Sequence, residues 1–302
     1  MKTARLRTVR DLLRFAVNRF NQAGLSFGHG THNARDEAAY LILHTLQLPL
    51  DQLEPFLDTP LTRKQITAVL NILRQRMTKK IPAAYLTHEA WLGDLRFYID
   101  QRVIVPRSFI AELLRARLKP WIKDADAVTA ALDLCTGSGC LAILMAQVFH
   151  NAVIDASDIS RSALAVAKRN VTDYGLEDRI NLIQSDLFKA LRGRRYDLVV
   201  ANPPYVNAQA MRALPAEFRH EPQLGLNGGN DGLAYVRPIL QSAAKHLRKT
   251  GLLVVEIGHN RETLERAFPK IKFTWPDTSA GDEYVFLLKH RQLSCLSPSQ
   301  NR

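Results

Sequence analysis

The stretch that decides the fold is Asp133-Leu134-Cys135-Thr136-Gly137-Ser138-Gly139-Cys140. It contains the end of the apolar run 128–135 and leads into the helical pattern 141–149. Glycine adopts positive φ at no steric cost and allows close backbone approach, and a helix N-terminus offers free N–H groups to a polar ligand. We therefore predict a strand, a ligand-facing turn and a helix. A nucleotide diphosphate site is less favoured because G-x-G-x-x-G and Gly-Lys-Ser are both missing, and a purely structural turn is the alternative.

Outward from this unit, apolar runs alternate with helical patterns. Strands are predicted over 128–135, 153–157, 180–184, 196–201, 252–256 and 284–288, and helices over 141–149, 160–174 and 233–247. Such alternation is typical of an α/β fold with a mainly parallel sheet covered on both faces. In these sheets ligands bind outside the carboxyl ends of the strands, where the strand order reverses.

The first eighty residues have a different pattern. Helices are predicted over 9–23, 35–46 and 62–78, with Thr62 as N-cap of the third. The loop Gly28-His29-Gly30-Thr31 is interpreted as a helix–helix turn with a solvated His29, in preference to a contact role. Aromatic and β-branched alternation from 83 to 105 predicts a β-hairpin that bridges two domains. We expect a helical domain at 1–80, a hairpin linker at 81–105, an α/β domain at 106–290 and a disordered tail at 291–302.

Composition narrows the class of protein. The 302 residues are 46% hydrophobic and 23% charged, which argues against a mainly disordered or fibrous chain. Three cysteines are too few and too unevenly spaced for a disulfide framework or a C-x-x-C zinc pair, so we expect a reducing compartment and no metal site. No apolar run is long enough to span a membrane. The Arg-rich start continues the apolar face of the first helix, which favours a cytoplasmic protein over one with a transit peptide.

The chain is strongly basic. Its 41 Lys and Arg residues against 29 Asp and Glu residues give a net charge of +12. This excess indicates an anionic or RNA-rich neighbourhood but identifies no ligand. The cluster Arg74, Arg76, Lys79 and Lys80 is interpreted as solvated basic surface.

Three acidic residues follow the glycine turn at or near strand ends. A carboxylate after the second strand can accept both ribose hydroxyls of a nucleoside bound over the glycine loop. Asp158 is preferred for this role because it lies just past the strand, whereas its competitor Asp155 lies mid-strand. Asp186 follows the third strand and is placed to reach an adenine amino group. Each acid alone is typical of an N-cap or turn, but the series favours a ligand site.

The most specific motif is Asn202-Pro203-Pro204-Tyr205, directly after the run 196–201. Two prolines remove backbone donors and leave carbonyl oxygens as rigid acceptors. The side-chain oxygen of Asn202 and the carbonyl of Pro203 can bind the two protons of one planar NH₂ group, and Tyr205 can stack on its face. Such a site suits an amide or an exocyclic amine. A rigid strand-ending turn would not explain the flanking Asn and Tyr.

These motifs, in this order and spacing, resemble the class I methyltransferases that use S-adenosylmethionine, and specifically the protein glutamine N5-methyltransferases. The resemblance covers nearly the whole chain and implies a Rossmann-like domain that methylates a glutamine amide nitrogen. The positions that match the family's cofactor site are Asp133, Cys135, Thr136, Gly137, Ser138, Gly139, Asp158, Asp186, Leu187 and Asn202. Those that match its catalytic motif are Asn202, Pro203, Pro204 and Tyr205.

The family has two branches, which act on peptide release factors or on large-subunit ribosomal protein three. Val105-Pro106-Arg107-Ser108 and Phe218-Arg219-His220-Glu221-Pro222 resemble the ribosomal branch. This implies ribosomal protein three as partner, free or in an assembling subunit, with ribosomal RNA nearby. The release-factor branch often carries Trp at the position of Leu187, so Phe188 is a candidate substitute for stacking adenine.

Two other functions remain open from the sequence. One is a nucleic-acid adenine N6-methyltransferase, because the exocyclic amine of adenine would need the same acceptors from the Asn-Pro-Pro-Tyr motif. However, no added base-flipping surface is evident beyond the first eighty residues. A non-catalytic assembly factor is the other alternative. We expect residues 1–80 to select the protein substrate, because they carry no catalytic motif.

Overall fold

The computed structural model describes residues 6–293 and begins with a helical unit. Its helices are α1 (Val9–Gln22), α2 (Ala34–Leu46) and α3 (Arg63–Lys79). Thr8 with Asp11, and Thr62 with Gln65, form capping boxes that start α1 and α3, so the predicted N-cap at Thr62 is confirmed. The apolar faces of the three helices enclose one hydrophobic core. The three predicted helices are thus observed to within one or two residues.

The predicted hairpin is shorter than expected. Ala83–Thr87 forms helix α4, and only β1 (Glu89–Leu92) and β2 (Leu95–Tyr98) pair as antiparallel strands. The β-branched run near Val105 is buried without a strand partner, because it packs into the core of the α/β unit. Alternation predicted the burial of these side chains correctly but not their pairing. The hairpin itself belongs to the same core.

A six-stranded sheet forms the rest of the molecule. Its strands are β3 (Ala130–Leu134), β4 (Val153–Asp158), β5 (Ile180–Gln184), β6 (Tyr196–Ala201), β7 (Leu247–Glu256) and β8 (Val285–Lys289). The spatial order is β5-β4-β3-β6-β7-β8, with all neighbours parallel except the antiparallel pair β7 and β8. This confirms the α/β fold with a mainly parallel sheet. The order reverses between β3 and β6, where a ligand crevice is expected.

Helices cover both faces of the sheet. The longer ones are α6 (Cys140–Val148), α7 (Arg161–Asp173) and α9 (Val236–His246). The apolar residues of α6 and α7 contribute to one hydrophobic core and those of α9 to the other. The sequence reading missed the short helices α5 (Ile110–Arg115), α8 (Ala208–Ala213), α10 (Arg261–Ala267) and α11 (His290–Leu293), because four to seven residues give little periodic signal. None of the helices described has the length and apolar content needed to cross a bilayer.

Residues 291–293 of the predicted disordered tail are helical, as part of α11, and the rest of that tail lies outside the described residues, as do Met1–Arg5.

Candidate active site

The glycine loop connects β3 to α6 in the predicted way. Gly139 precedes α6 as its N-cap with φ 81°, and a Cβ there would lie 3.2 Å from Cβ of Ala167 on α7. A side chain would therefore separate the two helices, which is why glycine is needed. Cys135 also has a positive φ of 63°, a strained conformation for a residue with a side chain. This bend directs the chain across the carboxyl end of the sheet.

The carboxylate of Asp133 holds the glycine loop through hydrogen bonds. Its Oδ2 accepts hydrogen bonds from Thr136 Oγ1 at 2.5 Å and from the amide of Ala142 at 3.0 Å. Burial raises the pKa of the Asp133 carboxyl to about 7. Its other oxygen, Oδ1, is buried without a hydrogen-bond partner in the described residues, and so is Oγ of Ser157 on the neighbouring strand. Buried polar atoms of this kind normally have partners, so two unused hydrogen-bonding atoms lie at the carboxyl ends of β3 and β4.

The structure distinguishes Asp155 from Asp158, the two candidates for the carboxylate that accepts ribose hydroxyls. Asp155 is held by Arg194 at 2.6 Å, Tyr196 Oη at 2.7 Å and Asn181 Nδ2 at 3.1 Å, and it does not line the main cavity. Asp158 lines that cavity and accepts the amides of Gly137 at 2.9 Å and Ser160 at 2.8 Å. Burial raises its pKa. Asp158 is the last residue of β4, where we had expected it just past the strand.

The third strand end adds Asp186 and Leu187, both of which line the cavity. Asp186 is paired with Lys189 at 2.6 Å. The suggestion that Phe188 stacks on adenine is wrong: its ring is buried against His246, with centroids 4.5 Å apart, and does not line the cavity. An apolar side chain that does line the cavity is Ile159, which is 48% exposed and was not singled out from the sequence. It follows Asp158 directly in the chain, so an apolar side chain adjoins that carboxylate at the cavity.

The Asn-Pro-Pro-Tyr motif leaves β6 at the point where the strand order reverses. Asn202 and Pro204 line the cavity, whereas Pro203 is buried outside the lining. The Nδ2 of Asn202 donates to the carbonyl oxygen of Arg107 at 3.4 Å. That contact uses the amide nitrogen, so the side-chain oxygen of Asn202 is left as an acceptor.

Tyr205 is held rigidly behind the motif. Its ring packs on Gly258, where a Cβ would lie 2.7 Å from Cε2 of the ring. Its hydroxyl donates to Glu256 Oε1 at 3.3 Å, and Glu256 Oε2 accepts from Ser108 Oγ at 2.6 Å. Burial raises the pKa of both Tyr205 and Glu256. The sequence reading missed Glu256, since nothing near the end of β7 marks it as a partner of Tyr205.

These strand ends surround one cavity of about 400 Å³. It is bounded by Cys135, Asp158, Asp186, Leu187 and Asn202 of the predicted site. The residues of the predicted site that do not line it are Asp133, Thr136, Gly137, Ser138, Gly139, Pro203 and Tyr205. Within residues 6–293, no group of three His, Cys, Asp or Glu side chains is arranged to hold a metal.

A buried ion-pair network lies on the other side of Asn202. Arg107 makes two 2.7 Å hydrogen bonds to Glu221, whose Oε1 also accepts the amide of Val105 at 2.8 Å. Burial alone would raise the pKa of Glu221, but the neighbouring His29 and Arg107 outweigh it and lower the pKa to about 2. The interpretation of His29 as solvated is wrong. It is 4% exposed, and its Nε2 lies 3.6 Å from Glu221 Oε2.

A second buried pair joins the helical unit to the same segment. Arg76 is 1% exposed and contacts Glu37 at 2.6 Å and Glu217 at 3.2 Å. The interpretation of the cluster from Arg74 to Lys80 as solvated surface is therefore wrong for Arg76. The run of basic residues favoured solvent exposure, but Arg76 lies on the same face of α3 as the buried Val69 and Leu73, and two distant carboxylates compensate its charge. The helical unit and the segment that follows the Asn-Pro-Pro-Tyr motif thus share buried charges.

Comparison with known proteins gives consistent results. Residues 113–221 match the family model of the methyltransferase small domain. A protein of Neisseria meningitidis serogroup A named ribosomal protein uL3 glutamine methyltransferase is 59% identical over 288 residues, which cover 95% of each chain. Relatives with the same name from Burkholderia pseudomallei and Xanthomonas campestris are 54% and 45% identical, covering 96% and 95% of this chain and 97% and 93% of theirs.

Among solved structures, the fold is similar to that of the human METTL16 catalytic domain in complex with MAT2A 3′UTR hairpin 1. The TM-score is 0.50 at 18% identity, covering 84% of this chain and 91% of that one. At this identity the likeness concerns the fold alone.

Proposed function

Since the chain belongs to the ribosomal protein uL3 glutamine methyltransferases, we propose that it methylates the side-chain amide nitrogen of a glutamine in uL3, the large-subunit ribosomal protein three. The observation that carries this proposal is the position of Asn202, which lines the cavity with its side-chain nitrogen engaged by Arg107 and its oxygen left to accept. An acceptor at a strand end, next to the carbonyl of Pro203, suits the two N–H groups of a primary amide.

We propose S-adenosylmethionine as the methyl donor, and the residues present fit it. The cavity is large enough for a small-molecule cofactor, and the carboxylate of Asp158 has further lone pairs for ribose hydroxyls. Asp186, which lines the cavity together with Ile159 and Leu187, would accept the adenine amino group. Ser157 lines the cavity, and its unpartnered Oγ offers a further polar contact. When bound, the donor supplies an electrophilic methyl carbon on a sulfonium.

The chain's own residues would prepare the amide for transfer. An amide nitrogen is a poor nucleophile because its lone pair is delocalised into the carbonyl. Asn202 Oδ1 and the carbonyl of Pro203 would hold its two protons, localise the lone pair and orient it. Pro204 and the packed ring of Tyr205 would keep these acceptors rigid and exclude water. Positioning and preorganised electrostatics then supply most of the rate.

The helical unit, residues 1–80, is proposed to select the protein substrate. None of its described residues, 6–80, lines the active-site cavity, and buried charges connect it to the segment 217–221. A role in ribosome biogenesis, in the cytoplasm and near ribosomal RNA, follows if uL3 is modified before or during assembly. The net charge of +12 is in keeping with such surroundings.

The test is incubation with labelled S-adenosylmethionine and purified uL3, free and in ribosomal particles, followed by peptide mass spectrometry. We expect one additional methyl group on one glutamine of uL3. Parallel reactions contain a peptide release factor and adenine-containing RNA. Exclusive labelling of either would contradict the proposal, and donor binding without labelling of any substrate would favour a non-catalytic assembly factor.

A further inference from the structure

A second groove, of about 550 Å³, lies away from the active-site cavity. Its walls include Trp121, which precedes β3, and four basic side chains: Lys270, Lys272, Lys289 and Arg291. All four are exposed and Trp121 is half-buried. No acidic side chain is among the residues that line it.

The four groove cations have no counterions among the residues that the structure describes. Elsewhere, arginines such as Arg76, Arg107 and Arg194 are paired with carboxylates at 2.6–3.2 Å. Within residues 6–293, none of the four groove cations lies within ion-pair distance of an Asp or Glu. Four like charges around one concavity repel one another, and a low-dielectric wall concentrates their field. The groove therefore has a strong attraction for a polyanion.

The groove and the active site lie at opposite ends of the sheet. Lys289 on β8 pairs with Leu252 of β7, whereas Val285 pairs with Glu256, which contacts Tyr205 of the catalytic motif. Four residues of strand separate these two positions, on the order of 13 Å. A polymer bound in the groove would leave the active-site cavity open.

We propose that this groove binds the phosphodiester backbone of a single-stranded polynucleotide, with a base stacked on Trp121. Lys and Arg side chains neutralise phosphates with release of counterions, and an aromatic ring beside such a track stacks unpaired bases irrespective of their sequence. The extension to RNA as the physiological form rests on the proposed function. Bound RNA would hold the enzyme on a uL3 substrate that is already associated with RNA.

The experiment measures binding of the full-length protein to a fluorescein-labelled 15-nucleotide single-stranded RNA by anisotropy, between 50 and 300 mM KCl. The groove variant is Lys270→Glu with Lys289→Glu. The matched control is Lys168→Glu with Arg192→Glu, two exposed basic residues outside both cavities with the same change in charge. Each phosphate contact contributes a slope of about 0.7 in log affinity against log salt, so two lost contacts weaken binding about 25-fold at 0.1 M salt.

We expect that loss for the groove variant and less than threefold weakening for the control. Equal weakening of both variants would overturn the proposal, because the attraction would then come from net charge alone. Absence of RNA binding by the parent protein would overturn it as well. Duplex RNA and an acidic peptide of equal charge are expected to bind more weakly than single-stranded RNA, and tighter binding of either would also overturn it. A single-stranded DNA of the same sequence distinguishes backbone recognition from recognition of ribose.

A second readout separates this inference from the proposed function. It is the ratio of the methylation rate of RNA-associated uL3 to that of free uL3, which we expect to fall in the groove variant and not in the control. An unchanged ratio overturns the extension to RNA-bound substrate. If uL3 is not methylated at all, the proposed function fails, while the anisotropy result still decides whether the groove binds RNA.

Discussion

The two sides of Asn202 differ in how their buried charges are compensated. On the cavity side, Asp133 Oδ1 and Ser157 Oγ are buried without partners, and Ile159 is exposed. On the side of the helical unit, Arg76 and Glu221 are buried within ion pairs, and the one buried atom there without a hydrogen-bond partner among the described residues, Nε2 of His29, lies 3.6 Å from the Glu221 carboxylate. Unpartnered buried atoms are costly unless a ligand or water supplies the missing contacts, whereas paired charges already have their contacts. The first side is thus arranged to accept a ligand, and the second to hold two parts of the chain together.

From this comparison we expect the largest effect when Arg76 is replaced, and the quantity affected is the free energy of unfolding. Arg76→Met removes the partner of Glu37 and Glu217 and leaves both carboxylates buried. Breaking a buried pair in this way costs about 3–5 kcal/mol in the free energy of unfolding. Urea denaturation measures the change, and Arg74→Met on the exposed side of the same helix is the control, with an expected change below about 0.5 kcal/mol. A similar small change for both variants would show that the network does not hold the helical unit in place.

The next effect concerns turnover. Asn202→Ala removes the side-chain acceptor for the amide and should lower turnover about 10²-fold or more while donor affinity stays nearly unchanged. Asn202→Asp keeps an acceptor but adds a negative charge, so we expect activity between that of the parent and the Ala variant. Steady-state methylation at saturating donor measures both, and Asn151→Ala, at an exposed asparagine, is the control. Near-parental turnover in folded Asn202→Ala would show that Asn202 is a turn residue only.

Donor binding should change by a smaller amount. Asp158→Ala removes the carboxylate at the end of β4 and is expected to weaken S-adenosylmethionine binding by about 1–3 kcal/mol, since ribose hydroxyls lose their acceptors. Isothermal titration calorimetry measures the affinity, and the exposed Asp173→Ala is the control. Unchanged affinity in a folded Asp158 variant would reject this assignment. Asp155 would not replace it readily, because its carboxylate is already bound by Arg194 and Tyr196.

The smallest expected effect is a pH dependence of the free protein. The pKa of Asp133 is raised to about 7, so the folded protein holds a proton there that the unfolded chain has released by pH 6. Stability therefore falls as pH rises, by about 1.4 kcal/mol between pH 6 and pH 8 from this group. The difference should disappear in Asp133→Asn, as measured by urea denaturation at both values. Parallel pH profiles for parent and variant would contradict a protonated Asp133.

Deletion of residues 1–80 is a less informative test of substrate selection than point variants. The helical unit supplies Arg76 to Glu217 and His29 to Glu221, so its removal would leave both carboxylates of the remaining unit with fewer partners. Loss of activity after deletion would then have a structural cause as readily as a functional one. The assignment of substrate selection to this unit stays a prediction.

The sequence by itself determined the features that depend on neighbouring residues. The glycines of the loop after β3, the acids at or near successive strand ends and the Asn-Pro-Pro-Tyr motif are all short-range signals. The loop follows β3 and the motif follows β6 as the pattern predicts, whereas Asp158 is the last residue of β4. Strand and helix periodicity was sufficient for the α/β fold and for the three long helices of the first eighty residues. Parallel strands bring their carboxyl ends to one edge, so these motifs could be expected to meet before the structure was known.

Only the tertiary structure decided which partner each polar side chain has. Arg76 and Glu217 are 141 residues apart, and Arg107 and Glu221 are 114 apart, so no local pattern relates them. For the same reason the sequence predicts a solvated His29, leaves Asp155 as an alternative to Asp158 and suggests Phe188 as a stacking residue. It gives no indication of the contact made by Glu256. Periodicity predicts whether a side chain faces inwards, because that depends on its own helix or strand. Its contacts depend on how separate elements pack, and they decide whether a buried charge is compensated.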